Sequence, residues 1–257
     1  VLVGPLTFLL LGKMKEKHAD RLSLLPKLLP VYAQVLEKLA DMGAEWVQMD
    51  EPCLATDLTQ AQQTALTTIY QTLNQGKTPK ILLATYFEAL RDNLGVAASA
   101  PVAGLHIDCV RAPQQLGAVL DALPEGKVLS LGVVDGRNIW RADLQAAHAI
   151  LQKAVDKLGS SRVFAAPSCS LLHTPVDVAA ETALDQEFVS WLAFATQKLE
   201  EVAVLAKACN EGQQAVSEAF AASRAAHQSR KTSERIHNAA VKQRTAALTP
   251  AMAQRQN

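Results

Sequence analysis

Trp46-Val47-Gln48-Met49-Asp50-Glu51-Pro52 is the stretch that decides how this chain is read. Its apolar start reads as a buried strand, two adjacent carboxylates follow, and Pro52 prevents the strand from continuing. Asp50 and Glu51 are therefore expected at a strand's C-terminal end. In a parallel α/β protein that is the edge where ligands bind, because functional groups sit on the loops that leave the strands. A plainer reading makes Asp50 a cap for the next segment and Glu51 a solvated loop carboxylate.

Outward from this point the same pattern repeats. Residues 1–5 read as a buried strand ended by Gly4-Pro5. Residues 20–42 carry an apolar stripe (Leu24, Leu25, Leu28, Leu29, Tyr32, Val35, Leu36, Leu39) that predicts a helix, with Pro26 in its first turns, a kink at Pro30 and Gly43 as its stop. A polar helix over 58–73 follows. Strands are predicted at 80–87, 104–109, 128–134 and 163–166, with helical stretches at 113–123 and 143–158. Such alternation calls for a parallel sheet with right-handed crossovers.

No glycine-rich phosphate loop follows the first strand, which argues against a dinucleotide fold. Polar residues instead close nearly every strand: Asp50 and Glu51, Glu88, Asp108, Asp135 and Arg137, Ser168 and Cys169. Groups converging from many strand ends predict an α/β chain of the (β/α)8 TIM type. The barrel is incomplete, with about six of eight strands and the other two expected ahead of residue 1, and C-terminal helices follow it. The chain starts in strand residues without a methionine, and so reads as a piece of a longer polypeptide.

Residues 181–208 read as one long helix closing the outer layer, with Leu184, Phe188, Trp191, Leu192, Phe194 and Leu199 on its apolar face. Beyond Asn210-Glu211-Gly212, a basic stretch with Arg224, Arg230, Lys231, Arg235, Lys242 and Arg244 has few large apolar residues. The expected division is a barrel over 1–209 and a solvated helical inter-domain linker over 210–257. No aromatic residues interleave with those charges, which argues against nucleic acid.

Composition sets outer bounds. With 257 residues, 49% hydrophobic and 19% charged, the chain can bury a sizeable core, and a formal net charge of +0 excludes bulk electrostatic coating of nucleic acid or anionic membrane. Cys53, Cys109, Cys169 and Cys209 form no close pair, so neither a disulfide framework nor a metal ribbon is suggested, and a reducing cytoplasm is the expected setting. The apolar run over 1–11 is too short to span a bilayer and lacks the basic region of a signal peptide.

Three constellations could carry chemistry. His106 and Asp108 share one face of a strand while Cys109 points to the other, so the trio does not form a local metal set and His106 reads as a packed core histidine. Cys169, just past a strand and near His173, sits where a thiolate could act as ligand or nucleophile, the commoner reading being a buried, unreactive cysteine. Asp135-Gly136-Arg137-Asn138 forms a turn with positive φ available at the glycine. There Asp135 could bind an amine or hydroxyl and Arg137 a carboxylate or phosphate, or the turn could be stabilised by its own side chains.

Six ordered segments, VLVGPLTFLLLGK (1–13), WVQMDEPCL (46–54), TYFEAL (85–90), GLHIDCV (104–110), GVVDGRNIWRADL (132–144) and SCSLLHTPVD (168–177), together resemble the N-terminal half of cobalamin-independent methionine synthase. The resemblance implies two barrels related by duplication and methyl transfer from 5-methyltetrahydropteroyl-polyglutamate to homocysteine, with zinc holding the homocysteine thiolate and no cobalamin. It implies that the zinc ligands and the catalytic histidine belong to the second barrel, against which this one packs. Cys169 matches the last zinc cysteine and Asp108 falls near the zinc glutamate, but Thr85-Tyr86-Phe87 stands where a His-x-Cys pair would be. Hence no catalytic residue and no metal ligand is expected within 1–257. Asp50, Glu51, Asp135 and Arg137 remain as substrate-binding candidates at the barrel mouth, and Arg137 with Arg141 as contacts for the polyglutamate tail. The alternatives are a non-catalytic scaffold or binding module with a vestigial mouth, and a zinc hydrolase built on His106, Asp108, Cys169 and His173.

Overall fold

The computed structural model describes residues 1–15 and 20–254. Its six strands are β1 (Leu2–Val3), β2 (Trp46–Asp50), β3 (Lys80–Ala84), β4 (Gly104–Asp108), β5 (Val128–Val134) and β6 (Val163–Pro167). They form one all-parallel sheet in sequence order, β1 to β6. A doubly wound sheet reverses its strand order at a switch point; this one does not, so its crossovers wind in one direction as in a (β/α) barrel.

Two rings demonstrate the curl. Trp46 opens β2 and Phe164 lies on β6, yet their centroids are 5.5 Å apart in an edge-to-face pair across the concave side. Gly104 on β4 gives them space, since a Cβ there would lie 2.8 Å from Leu82 Cδ1 and 3.5 Å from Trp46. The curl leaves β1 and β6 as edges. Val3 on the first is half-exposed, where the sequence reading expected a buried strand, because β1 pairs only with β2.

The convex face is apolar and covered. Val47, Met49, Ile81, Leu83, Leu105, Ile107, Leu129 and Leu131 alternate outward into one core with the helices. Those helices are α1 (Pro5–Leu11), α2 (Leu25–Asp41), α3 (Gln60–Leu73), α4 (Leu94–Ser99), α5 (Leu116–Ala122), α6 (Leu144–Leu158), α7 (Gln186–Ser190), α8 (Ala195–Glu211), α9 (Ser217–Thr232) and α10 (Ala239–Ala246). Helix α3 starts with a complete capping box, Thr59 with Gln62. Asp143 caps α6, and Gly159 ends it at φ 82°.

The long helix expected over 181–208 is instead two helices, α7 and α8, joined by an extended segment. Trp191-Leu192-Ala193-Phe194 are all buried, which no single helix face allows. An extended run satisfies all four, and Leu192 bridges antiparallel to Trp140. Leu199, placed on the apolar face by the sequence reading, is exposed, and Leu205 takes the core position. Helix α9 also differs from a solvated linker. Phe220, Ser223 and Ala226 are buried, and Ser223 Oγ accepts from Leu144 N (3.3 Å) and donates to Ala142 O (2.9 Å) at the start of α6. Residues 239–254 are exposed.

Among the described residues, no helix is long and apolar enough to cross a membrane.

Two glycine substitutions separate crowded from open positions. A Cβ on Gly132 would lie 2.6 Å from Ser168 Cα and 3.1 Å from His106 Cε1, so Gly132→Ala is expected to destabilise by about 1–3 kcal/mol. Gly117, exposed inside α5, meets nothing within 4 Å, so Gly117→Ala is expected to stabilise by roughly 0.5–1 kcal/mol. Urea midpoints moving the same way for both would contradict this packing.

Candidate functional site at the sheet's C-terminal edge

Adjacent in sequence, Asp50 and Glu51 part company in space. Asp50 closes β2 on the concave side, where its carboxylate accepts from Gln48 Nε2 (2.7 Å) and Tyr86 OH (3.0 Å). Glu51 is fully buried behind the sheet. Its oxygens accept from Leu6 N (3.1 Å), Thr7 N (2.7 Å), Tyr70 OH (3.2 Å) and the Cys53 thiol (3.6 Å). The expectation that Glu51 faces the mouth is therefore corrected: period-two alternation turns it toward α1 and α3. Burial pushes its pKa up, while the Thr7 and Leu6 donors pull it back.

The other expected mouth residues do converge. Asp135 accepts from Arg137 N (2.8 Å) and Asn138 Nδ2 (2.8 Å) and pairs with Arg111 at 3.6 Å. Arg137 is exposed, with its guanidinium carbon 4.8 Å from the centroid of the Phe87 ring. Gly136 lacks the positive φ expected of it. It is required by crowding, because a Cβ there would lie 2.9 Å from Cys169 O and 3.0 Å from Cys169 Sγ.

Phe87 is the residue that sequence reasoning missed. The strand expected over 80–87 stops at Ala84, and Phe87 takes φ 82°, uncommon for a side-chain-bearing residue. Its amide donates to Asp108 Oδ2 (3.1 Å), and its ring meets those of Tyr86 (4.6 Å) and His173 (5.9 Å). Tyr86-Phe87 thus forms an aromatic floor between Asp50 and Arg137. The aromatic pair at a strand end was the available signal, but it reads equally well as strand.

His106 lies on the concave face within hydrogen-bonding distance of Ser130 Oγ (2.8 Å) and Ser168 O (3.4 Å), and burial lowers its pKa. Asp108 is occupied too, accepting from Val110 N (2.9 Å) and Arg111 N (2.8 Å) as well as Phe87 N. Cys109 lies in the convex core with its thiol pushed up to about 12 by burial. Cys169 is buried, and desolvation raises its thiol pKa, which keeps it protonated and poorly nucleophilic at neutral pH. Among the described residues, no three His, Cys, Asp or Glu side chains group so as to hold a metal ion. His106, Asp108, Cys169 and His173 therefore do not fit zinc, and the hydrolase reading falls with them.

The unlike roles of the two carboxylates can be measured. Glu51→Gln turns an amide donor toward a backbone N–H and is expected to cost roughly 2–4 kcal/mol in urea unfolding, against about 1 kcal/mol or less for Asp50→Asn. Glu51's folded pKa stands above its unfolded one, so stability falls as pH rises from the usual glutamate range through the folded value, and Glu51→Gln removes that slope. Equal costs at the two positions would refute the assignment.

The profile described as "Cobalamin-independent synthase, N-terminal domain" matches residues 1–159. A protein of Acidithiobacillus ferrooxidans named 5-methyltetrahydropteroyltriglutamate–homocysteine methyltransferase is 53% identical over 96% of this chain and 35% of its own length. Proteins of the same name from Nitrobacter winogradskyi and Caulobacter vibrioides are each 52% identical across 100% of this chain, which spans 34% and 33% of them. The chain thus spans about a third of the length of these relatives. In fold it is similar to a B12-independent methionine synthase from a Shewanella species (TM-score 0.59, 12% identity, 83% of this chain and 62% of that one). A Listeria monocytogenes structure named as a putative vitamin-B12-independent methionine synthase gives a TM-score of 0.50 at 15% identity, over 73% of this chain and 55% of that one. With its profile match over residues 1–159 and 52% identity to these relatives across the whole of its own length, the chain belongs to the cobalamin-independent methionine synthase family.

Proposed function

We propose that this chain is the supporting first barrel, with its helical linker over 210–257, of a cytoplasmic enzyme that makes methionine. That enzyme would transfer a methyl group from 5-methyltetrahydropteroyl-polyglutamate to homocysteine. The observation that carries this reading is identity of 52% across the whole chain to relatives so named. Zinc would be held by residues of the complete enzyme outside 1–257, consistent with a donor set here that does not fit it. A second barrel would pack against this one, and neither nucleic acid nor membrane is a partner.

Within the chain, the mouth would bind and orient rather than react. Asp50 and Tyr86 offer a carboxylate and a hydroxyl over the aromatic floor, and Arg137 offers a cation to an anionic substrate group. Asp135 holds Arg137's backbone in the turn. Arg141, the other proposed tail contact, is less available, because its Nε is buried without a partner beneath the surface.

The scaffold reading has one observation in its favour: Glu51, Asp108 and Asp135 already spend their oxygens on the protein's own donors.

The test uses the complete enzyme carrying Asp50→Asn with Arg137→Ala. A KM for the polyglutamylated methyl donor raised roughly tenfold, with kcat little changed, is expected if the mouth binds substrate. Unchanged kinetics with a lowered Tm would establish the scaffold reading instead.

A further inference from the structure

Behind the Asp135–Asn138 turn, α9 turns a basic face toward the start of α6, and its His227 and Arg230 also border a neighbouring cavity that reaches Asp135. Arg224, His227 and Lys231 follow one another at helical spacing, and Arg230 lies over Trp140, its guanidinium carbon 3.9 Å from a ring centroid. They line a cavity of about 620 Å³ together with Asp143 and Ile236. Among the described residues, the ion pairs engage other cations, and no carboxylate lies within 4 Å of Arg224, Arg230 or Lys231. Asp143 directs one oxygen to its capping bond with Ala146 N (3.0 Å). His227 Nε2 is buried without a hydrogen-bond partner.

We propose that this cavity is a binding site for a small phosphate monoester, a reading that does not rest on methyl transfer. Three cations against one carboxylate leave a charge that suits one dianionic phosphate. Arginine supplies paired N–H donors for its oxygens, and Lys231 adds a point charge. Contact with Trp140 fixes Arg230 before the ligand arrives, which reduces the ordering cost of binding. The volume exceeds what one phosphate fills, and Ile236 gives an apolar wall for the body of the ester.

The experiment is calorimetric titration of the 257-residue chain with phenyl phosphate, with triglutamate in a parallel arm. Saturable binding of phenyl phosphate, weakened about tenfold or more in the Arg224→Ala/Lys231→Ala double variant, is expected. Arg235→Ala, which breaks contacts to Asp185 and Glu187 outside this cavity, is expected to bind as the unaltered chain does. Circular dichroism of the double variant guards against loss of fold, and Arg224→Gln alone serves if the double variant unfolds. No saturable binding up to about 10 mM, undiminished binding by the folded Arg224→Ala/Lys231→Ala or Arg224→Gln variant, or binding of triglutamate alone would overturn the proposal.

Discussion

A carboxylate with no access to water holds the first half of this molecule together. Glu51 leaves the end of β2, passes under Gly4 where any side chain would collide with it, and collects donors from α1, from α3 and from Cys53. Burying such a charge costs several kcal/mol unless its oxygens are fully paired. Here the pairing is what orders the neighbours. The first two strands, α1 and the aromatic ring of Tyr70 are registered on one group, and among the described residues Tyr70 OH has no other hydrogen-bond partner.

The curl of the sheet does the complementary work on the other side. Helices press on an apolar convex face, while the concave face carries Gln48, Asp50, His106, Asp108 and Ser130, each tied to a neighbour. Small residues set the radius: Gly104 admits Trp46, and Gly132 admits the Ser168 backbone beside His106. The mouth is therefore a preorganised surface in which the strand-end side chains are held by turns and rings, with Arg137 the least restrained of them.

Much of this was legible because strands and helices of a parallel barrel differ in period, and because Gly and Pro mark their ends. All six strands and the core role of His106 followed from those signals. The misreadings have particular causes. Asp50 and Glu51 read as a pair in the sequence, although alternation assigns adjacent residues to opposite faces. The run Trp191 to Phe194 looked like part of a helix face because composition does not distinguish a helix stripe from four consecutive buried positions. Gly136 was credited with conformational freedom when the need was space, set by Cys169 more than thirty residues later. Phe87 gave no warning, since a side-chain-bearing residue at positive φ is fixed by tertiary contacts and leaves no local pattern. The buried face of α9 rests on Phe220, Ser223 and Ala226, only one of them large, and so looked solvated.

The strict sequential order of the strands also bears on how the molecule is assembled. Each strand after the first pairs with the strand made just before it, so no ladder waits for a distant segment of chain. Loop closure is then limited to one strand–helix unit at a time, which keeps its entropic cost low for a fold built of parallel pairings. A nascent chain can add each unit to an existing edge as it is synthesised, and the newest strand always offers the edge on which the next one pairs.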